Sequence, residues 1–204
     1  MKLLHIDSSI LGANSVSRGL TAEIVARQKA LHPGLEVSYL DLAERTPQHL
    51  SPAHIGALFG HPPADQAVVA DIAAAAPFID DLFAADIIVI GAPMYNFTLP
   101  SQLKAWIDRI AVAGKTFHYT AAGPEGLAGG KRVIVASSRG GVYSTGPAAG
   151  LDFQENYLRA LLGFLGIDDV QFIRAEGVNM SAEHKVKAIA SAHHSISSLA
   201  TKAA

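Results

Sequence analysis

Asp86-Ile87-Ile88-Val89-Ile90-Gly91-Ala92 decides the fold. After its leading aspartate the run is apolar at every position. A strand that faced water on one side would alternate polar and apolar residues. One covered on both sides reads as a continuous apolar run, as in a central parallel strand. At seven residues the run is far short of the about 20 that a membrane-spanning helix needs. Moving outward, shorter runs of the same kind predict strands over 2–6, 36–40, 132–137 and 170–175. Helical patterns fall between them, over 16–31, 101–113, 151–165 and 181–202. Pro33-Gly34 stops the first, Pro100 stands just ahead of the second, and Ser181 is placed to cap the last with Glu183 close behind. Strands separated by helices imply right-handed βαβ units, hence an α/β doubly wound parallel sheet of five strands flanked by helices.

At about 150 residues per domain, the 204 residues suggest one domain over 1–204 with insertions near 43–85 and 115–130. The first insertion holds Pro47, Pro52, Pro62 and Pro63, then an alanine-rich helical stretch interrupted near Pro77. The second has a strand-like arm over 116–120 and a turn at Gly123-Pro124. Half of the residues are hydrophobic and 17% are charged, against about 25% charged in typical domains; mean hydropathy is +0.26. A doubly covered sheet or a subunit interface would each explain the excess. The start, Met1-Lys2-Leu3-Leu4-His5-Ile6-Asp7, is charged too soon for a secretory signal, so a cytoplasmic location and no membrane span are expected. No cysteine is present, which excludes disulfides, thiol nucleophiles and iron–sulfur clusters. Any redox chemistry must come from a bound cofactor. A net charge of −2 without a Lys/Arg run gives nucleic acid no electrostatic footing.

Ligands of open α/β sheets bind beyond the carboxyl ends of the strands, which singles out three loops. The first, Asp7 to Ser17, carries Ser8, Ser9, Ser15 and Ser17 and opens a helix. Helix N–H groups and hydroxyls make a phosphate cradle; equally, Ser15 or Ser17 could simply cap the helix. The loop lacks G-x-G-x-x-G and G-x-x-x-x-G-K-[ST], so a dinucleotide fingerprint and a P-loop are both disfavoured. The second loop, Pro93 to Pro100, sets Tyr95, Asn96 and Phe97 after the central strand. They suit the edge and face of a flat heterocycle, or the aromatic rings fill core. The third loop pairs Gly140-Gly141, where backbone can approach a ligand closely, with Arg139, which could meet an anion or a surface carboxylate.

Other constellations fail. No G-x-S-x-G elbow supports a serine hydrolase. None of the nine histidines lies in H-E-x-x-H, and His49, His54 and His61 read as solvated loop residues, so no metal site is expected. A single-electron carrier would usually need a strongly acidic docking face, which this composition does not supply.

Together the loops resemble the FMN-dependent NADH-azoreductase and NAD(P)H quinone oxidoreductase family. The resemblance rests on Ser8-Ser9-Ile10-Leu11 with Ser15-Val16-Ser17, on Ala92-Pro93-Met94-Tyr95-Asn96-Phe97 leading into Gln102-Leu103-Lys104, and on Thr116-Phe117-His118-Tyr119-Thr120 with Gly123-Pro124-Glu125-Gly126-Leu127. Ser138-Arg139-Gly140-Gly141, the run from Leu162 to Ile167, and Ala175-Glu176-Gly177 complete it. It implies a flavodoxin-like sheet of order 2-1-3-4-5 and one FMN per subunit of a homodimer. It also implies ping-pong, two-electron hydride transfer from NADH or NADPH through FMN to quinones and aromatic azo compounds. On that resemblance Ser9, Ser15, Val16 and Ser17 hold the FMN phosphate, Val16 through its backbone N–H. Met94, Tyr95, Asn96 and Phe97 border the isoalloxazine, and Ser138, Arg139, Gly140 and Gly141 line its other side. Phe97, Phe117, Tyr119 and Tyr143 form the acceptor pocket, with Phe117 and Tyr119 reaching toward a partner's site. No side chain is expected to be catalytic in its own right, because the flavin carries the chemistry. A flavodoxin-like electron carrier or non-catalytic flavin binder is the alternative.

Overall fold

A computed structural model describes residues 1–200. Five parallel strands, β1 (Lys2–Asp7), β2 (Glu36–Asp41), β3 (Ile87–Pro93), β6 (Arg132–Arg139) and β7 (Asp169–Glu176), form one sheet in the order β2-β1-β3-β6-β7. Numbered among themselves the strands run 2-1-3-4-5, the expected flavodoxin-like order. β2 is added on one side of β1 and β3, β6 and β7 on the other, so the strand order switches between β1 and β3 and their carboxyl ends open the crevice where ligands of such sheets sit.

Every residue of β3 is buried, and its side chains divide by parity. Ile88 and Ile90 join Leu4, Ile6, Val133 and Val135 on one face, covered by α4 (Pro77–Ala84), α5 (Ser101–Ile110) and α6 (Glu155–Phe164) through Leu82, Trp106 and Leu162. Ile87 and Val89 join Leu3, Ile134 and Ile173 on the other, covered by α1 (Val16–Leu31) and α7 (Ala182–Ser197) through Leu20, Ile24 and Ile196. That two-sided burial is what the uninterrupted apolar run encodes.

Element boundaries differ from the sequence reading where side chains intercept the backbone. The helix expected over 151–165 starts at Glu155, because Asp152 Oδ1 accepts the N–H groups of Gln154 (3.1 Å) and Glu155 (2.9 Å). The helix expected over 101–113 ends at Ile110, where the Thr116 hydroxyl donates to the Ile110 carbonyl at 2.6 Å. The last helix begins after its Ser181 cap as expected and ends at Ser197; the expected extension to Lys202 passes beyond the described residues. The insertion over 43–85 is mostly helical, with α2 (Pro52–Leu58) and α3 (Gln66–Ala75) ahead of α4, and Pro77 divides the last two.

Gly123-Pro124 is not a turn. It opens β5 (Gly123–Gly126), which pairs antiparallel with β4 (Phe117–Thr120). The reversal falls at Ala121-Ala122, where Thr120 Oγ1 accepts the Ala122 N–H and donates to the Gly123 carbonyl. His54 is a buried residue rather than a solvated one. Its Nδ1 accepts the Ser51 N–H (3.1 Å) in the cap of α2, which leaves Nε2 to donate to Asp71 (3.1 Å).

Candidate functional site

Three loops meet at the carboxyl ends of β1, β3 and β6. The β1–α1 loop delivers its hydroxyls to the first turn of a 16-residue helix that has no acidic residue there. Ser15 is its N-cap, with Oγ accepting the Arg18 N–H (3.3 Å) and lying 3.1 Å from the Ser17 hydroxyl. Val16 is the first helical residue, so its N–H points out of the helix end. Capping and anion binding are compatible at this terminus: a Ser15 cap leaves other N–H groups free, and the positive end of the helix dipole favours negative charge. Ser8, in contrast, donates to the Gly91 carbonyl (2.6 Å) and is committed to the sheet.

The loop after β3 is a two-residue reversal in which Tyr95 and Thr98 exchange N–H···O bonds of 3.0 Å each. Asn96 (φ 49°) and Phe97 (φ 70°) occupy its centre in the left-handed region. The type I′ geometry demands positive φ at both places. Asparagine tolerates it; phenylalanine does so only under strain, of the sort that gathers at functional sites. The turn's own bonds use the N–H groups of Tyr95 and Thr98 and do not engage those of Asn96 and Phe97. The Phe97 ring is 43% exposed. Its edge-to-face partner is Tyr143, with ring centres 6.0 Å apart.

The remaining contacts join the loops. The Ser9 hydroxyl lies 3.3 Å from that of Tyr95. Met94 N–H donates to the Ser138 carbonyl (2.8 Å). Buried Gln154 accepts from Ser137 Oγ (2.8 Å) and donates to the Ala92 carbonyl (2.9 Å), bolting the ends of β3 and β6 together. Gly140 and Gly141 are closely packed: a Cβ at Gly140 would stand 3.0 Å from Asn179 Nδ2, and one at Gly141 3.2 Å from the Tyr143 ring.

The Arg139 side chain turns inward onto carboxylates of its own chain. It is 1% exposed. Nη2 lies 3.0 Å from Asp152 and 2.6 Å from Glu155, as ion pairs rather than aligned hydrogen bonds, and Nη1 donates to Glu176 (3.1 Å). Only its main chain remains for a ligand. On the opposite flank Arg18 pairs bidentately with Asp41 (2.6 and 2.7 Å) and donates twice to the Ser9 carbonyl (3.1 and 2.8 Å). The Arg18 bond, against the cost of burial, holds the Asp41 carboxyl below its usual range. Burial, with the charges of Asp7 and Asp41, pushes the nearby Tyr39 phenol up to about 12. A cleft of about 590 Å³ opens here, lined by Ser9, Ser15, Tyr39 and Asp41. A second, of about 460 Å³, lies beside Tyr95, Asn96, Lys104 and Tyr157.

Phe117 sits in the core at 9% exposure, its ring centre 4.5 Å from that of Phe164, while Tyr119 on the same arm is 73% exposed. Of the two, only Tyr119 offers a free surface. Phe153 and Gln154 join the site without any local sequence signal. Phe153 N–H donates to the Phe97 carbonyl (3.2 Å), buttressing the strained turn and leaving an exposed ring nearby. Both lie in a segment that reads as ordinary helix.

Residues 1–199 match the family described as flavodoxin-like fold. An FMN-dependent NADH:quinone oxidoreductase of Sinorhizobium fredii is 59% identical over 196 residues, covering 96% of this chain and 95% of that one. The chain belongs to the FMN-dependent NADH:quinone oxidoreductase family, within the flavodoxin-like fold. Solved structures of family members agree. An azoreductase from Bacillus anthracis strain Sterne superposes with a TM-score of 0.86 at 30% identity, covering 96% of each chain. An FMN-dependent NADH-azoreductase from B. anthracis strain Ames Ancestor, in complex with FMN, gives 0.84 at 25% identity over 98% of this chain and all of that one.

The site fits the cofactor named in this family. An acid-free helix end with clustered hydroxyls suits a phosphate. The N–H groups of Asn96 and Phe97, not used by the turn's own bonds and beside an exposed aromatic ring, suit the polar edge and flat face of a flavin.

Proposed function

We propose that this chain is an FMN-dependent NADH:quinone oxidoreductase that also reduces aromatic azo compounds. The observation that carries the reading is the turn at Asn96-Phe97, a pair of left-handed non-glycine residues at the end of the central strand, beside the hydroxyl-bearing helix end. Such strain persists where the surrounding structure enforces it, and a ligand contact gives it a purpose. The 59% identity to a relative of that name supports the activity.

In this reading Ser9, Ser15 and Ser17, with the Val16 N–H, hold the FMN phosphate. Met94, Tyr95, Asn96 and Phe97 border the ring, and Ser138, Gly140, Gly141 and the Arg139 main chain line its other side. When bound, FMN supplies two-electron transfer between NADH and a quinone or azo acceptor. The chain's own groups bind and orient. Main-chain N–H groups of the Asn96-Phe97 turn stabilise negative charge at the ring's polar edge, and Phe97 and Tyr143 exclude water from the face that receives a flat acceptor.

The same proposal takes 1–204 as one domain, two copies of the chain as the working unit, and the cytoplasm as its location. Exposed Phe153 and Tyr119 support the dimer, since large aromatics in contact with water are favoured at interfaces. Among the described residues no helix is long and apolar enough to cross a membrane.

The test is direct. Purified protein should be yellow, release FMN on denaturation in a one-to-one ratio with chain, and couple NADH oxidation to benzoquinone reduction. A colourless protein that fails to take up added FMN would overturn the reading. FMN held without any response to NADH would favour a carrier.

A further inference from the structure

We propose that Glu176 is a positioning residue that fixes Tyr143 against Phe97 and thereby sets how tightly a flat acceptor is held. The inference rests on the proposed acceptor site, of which Phe97 and Tyr143 form the apolar wall.

The loop after β6 is held in two different ways. Its first half is pinned by backbone: Gly177 N–H donates to the Gly141 carbonyl (2.9 Å), Val178 N–H to Arg139 (3.1 Å) and Asn179 N–H to Gly140 (3.1 Å). Its second half is gathered on one carboxylate at the end of β7. Glu176 Oε1 accepts the N–H groups of Tyr143 (2.8 Å) and Ser144 (2.9 Å), and Oε2 accepts the Ser144 hydroxyl. The carboxylate is aimed from below by Arg139, whose Nη1 donates to the same Oε1 at 3.1 Å. Arg139 is itself held by Asp152 and Glu155, and Glu155 also takes two bonds of 2.7 Å from Arg174. Burial pushes the Glu176 carboxyl up, but the Ser144 and Tyr143 donors and the Arg139 charge outweigh it and leave it below the usual glutamate range. Hydrogen bonds to a charged acceptor are the strong ones.

The division has a functional consequence. The backbone of Gly140 and Gly141, the part proposed to line the flavin, is held by the N–H groups of Asn179 and Gly177 rather than by the Glu176 carboxylate. Tyr143 is held by that carboxylate, and its ring meets Phe97 edge to face at 6.0 Å. Glu176 therefore acts on the acceptor and not on the cofactor. It touches neither, so it is not a catalytic residue.

Three variants test this: Glu176→Ala, Glu176→Gln and, as a mild change at an exposed partner, Ser144→Ala. Glu176→Ala should raise the KM for benzoquinone about tenfold while FMN affinity moves by less than about threefold. Glu176→Gln should recover most of the loss, because an amide oxygen still accepts the two N–H groups. If Glu176 served only to neutralise Arg139, Gln would behave like Ala. Ser144→Ala should shift KM in the same direction by a smaller factor, and it keeps the test alive if Glu176→Ala fails to fold. A second readout needs no flavin: amide hydrogen exchange at Tyr143 and Ser144 in the flavin-free protein, slow in the parent and fast in Glu176→Ala. A parent unable to bind FMN would sink the proposed function, yet exchange would still test the latch. Equal losses in FMN affinity and acceptor KM, or unprotected Tyr143 and Ser144 amides in the parent, would overturn the proposal.

Discussion

The two flanks of the crevice are each organised by an arginine, and they are built differently. On the β2 side Arg18 spans two carboxylates, Asp7 and Asp41, and keeps 17% of its side chain in contact with water. On the β7 side Arg139 spans three, Asp152, Glu155 and Glu176, with a side chain that is fully enclosed. Arg18 holds its loop directly, through the Ser9 carbonyl. Arg139 holds its loop at one remove, through Glu176. The difference follows from what each loop carries. A hydroxyl-bearing loop, proposed to admit an anion, is held by a partly solvated cation beside an open cleft. A loop that must keep one aromatic ring in register is held by a sealed cluster whose members leave one another little freedom.

The largest effect that could break this contrast comes from Arg139→Met. Buried Asp152 and Glu155 and half-buried Glu176 would lose their common cation, and stability measured by urea unfolding should fall by about 3–5 kcal/mol, the usual result of leaving buried charge unpaired. Arg18→Ala should cost less, about 2–3 kcal/mol, because two carboxylates rather than three lose their cation and both keep other donors, Asp7 from Thr21 and Tyr39 and Asp41 from the Ala43 N–H. It should also weaken FMN retention by freeing the Ser9 carbonyl, which equilibrium dialysis would show. Equal losses in the two variants would erase the distinction between the flanks.

Acid separates the flanks more gently. Asp41 and Glu176 are both held below their ordinary values in the folded chain, so on acidification the unfolded chain takes up these protons first. Their contribution to stability is complete above the ordinary carboxylate range and is lost as pH falls through it toward the folded values. Urea midpoints between neutral and acidic pH should decline there, and Asp41→Asn and Glu176→Gln should each flatten part of the decline. The smallest effect is a gain. Phe97→Gly would relieve the left-handed strain and stabilise the fold by up to about 1 kcal/mol, while raising the acceptor KM because the exposed ring is gone. Calorimetry and steady-state kinetics should therefore move in opposite senses.

Much of this architecture is readable from local pattern. The apolar run at 87–90 announces burial on both faces, and α1 spans the very residues its pattern predicts, from a serine cap to a stop before Pro33-Gly34. The loops of the crevice follow from strand order alone. What stayed hidden depends on partners far apart in the chain. Nothing near Arg139 in sequence reveals that Asp152, Glu155 and Glu176 will enclose it, so it reads as a surface residue. His54 looks like a loop histidine until Asp71 and Arg109 are packed around it. The turn at Asn96-Phe97 lacks the glycine that usually marks type I′ geometry, with asparagine as its one local hint. The helix start at Glu155 is not legible because Leu151 and Phe153 continue a helical pattern, whereas Asp152 accepts the N–H groups of Gln154 and Glu155.

The hairpin of β4 and β5 is riveted at its base. Gly126 lies so close to the segment after α6 that a Cβ there would come within 2.1 Å of the Gly166 nitrogen, and Ala128 N–H donates to the Leu165 carbonyl (2.9 Å). The arm is thus a rigid strut that carries Tyr119 at a set reach, with its only loose end at Ala121-Ala122. Residues grafted into that tip would lengthen the strut without reopening the core, the usual tolerance of an exposed loop tip. A single methyl at Gly126 would instead prise the strut from its seat. The same short segment therefore offers a forgiving insertion point a few residues from a position that tolerates no added methyl.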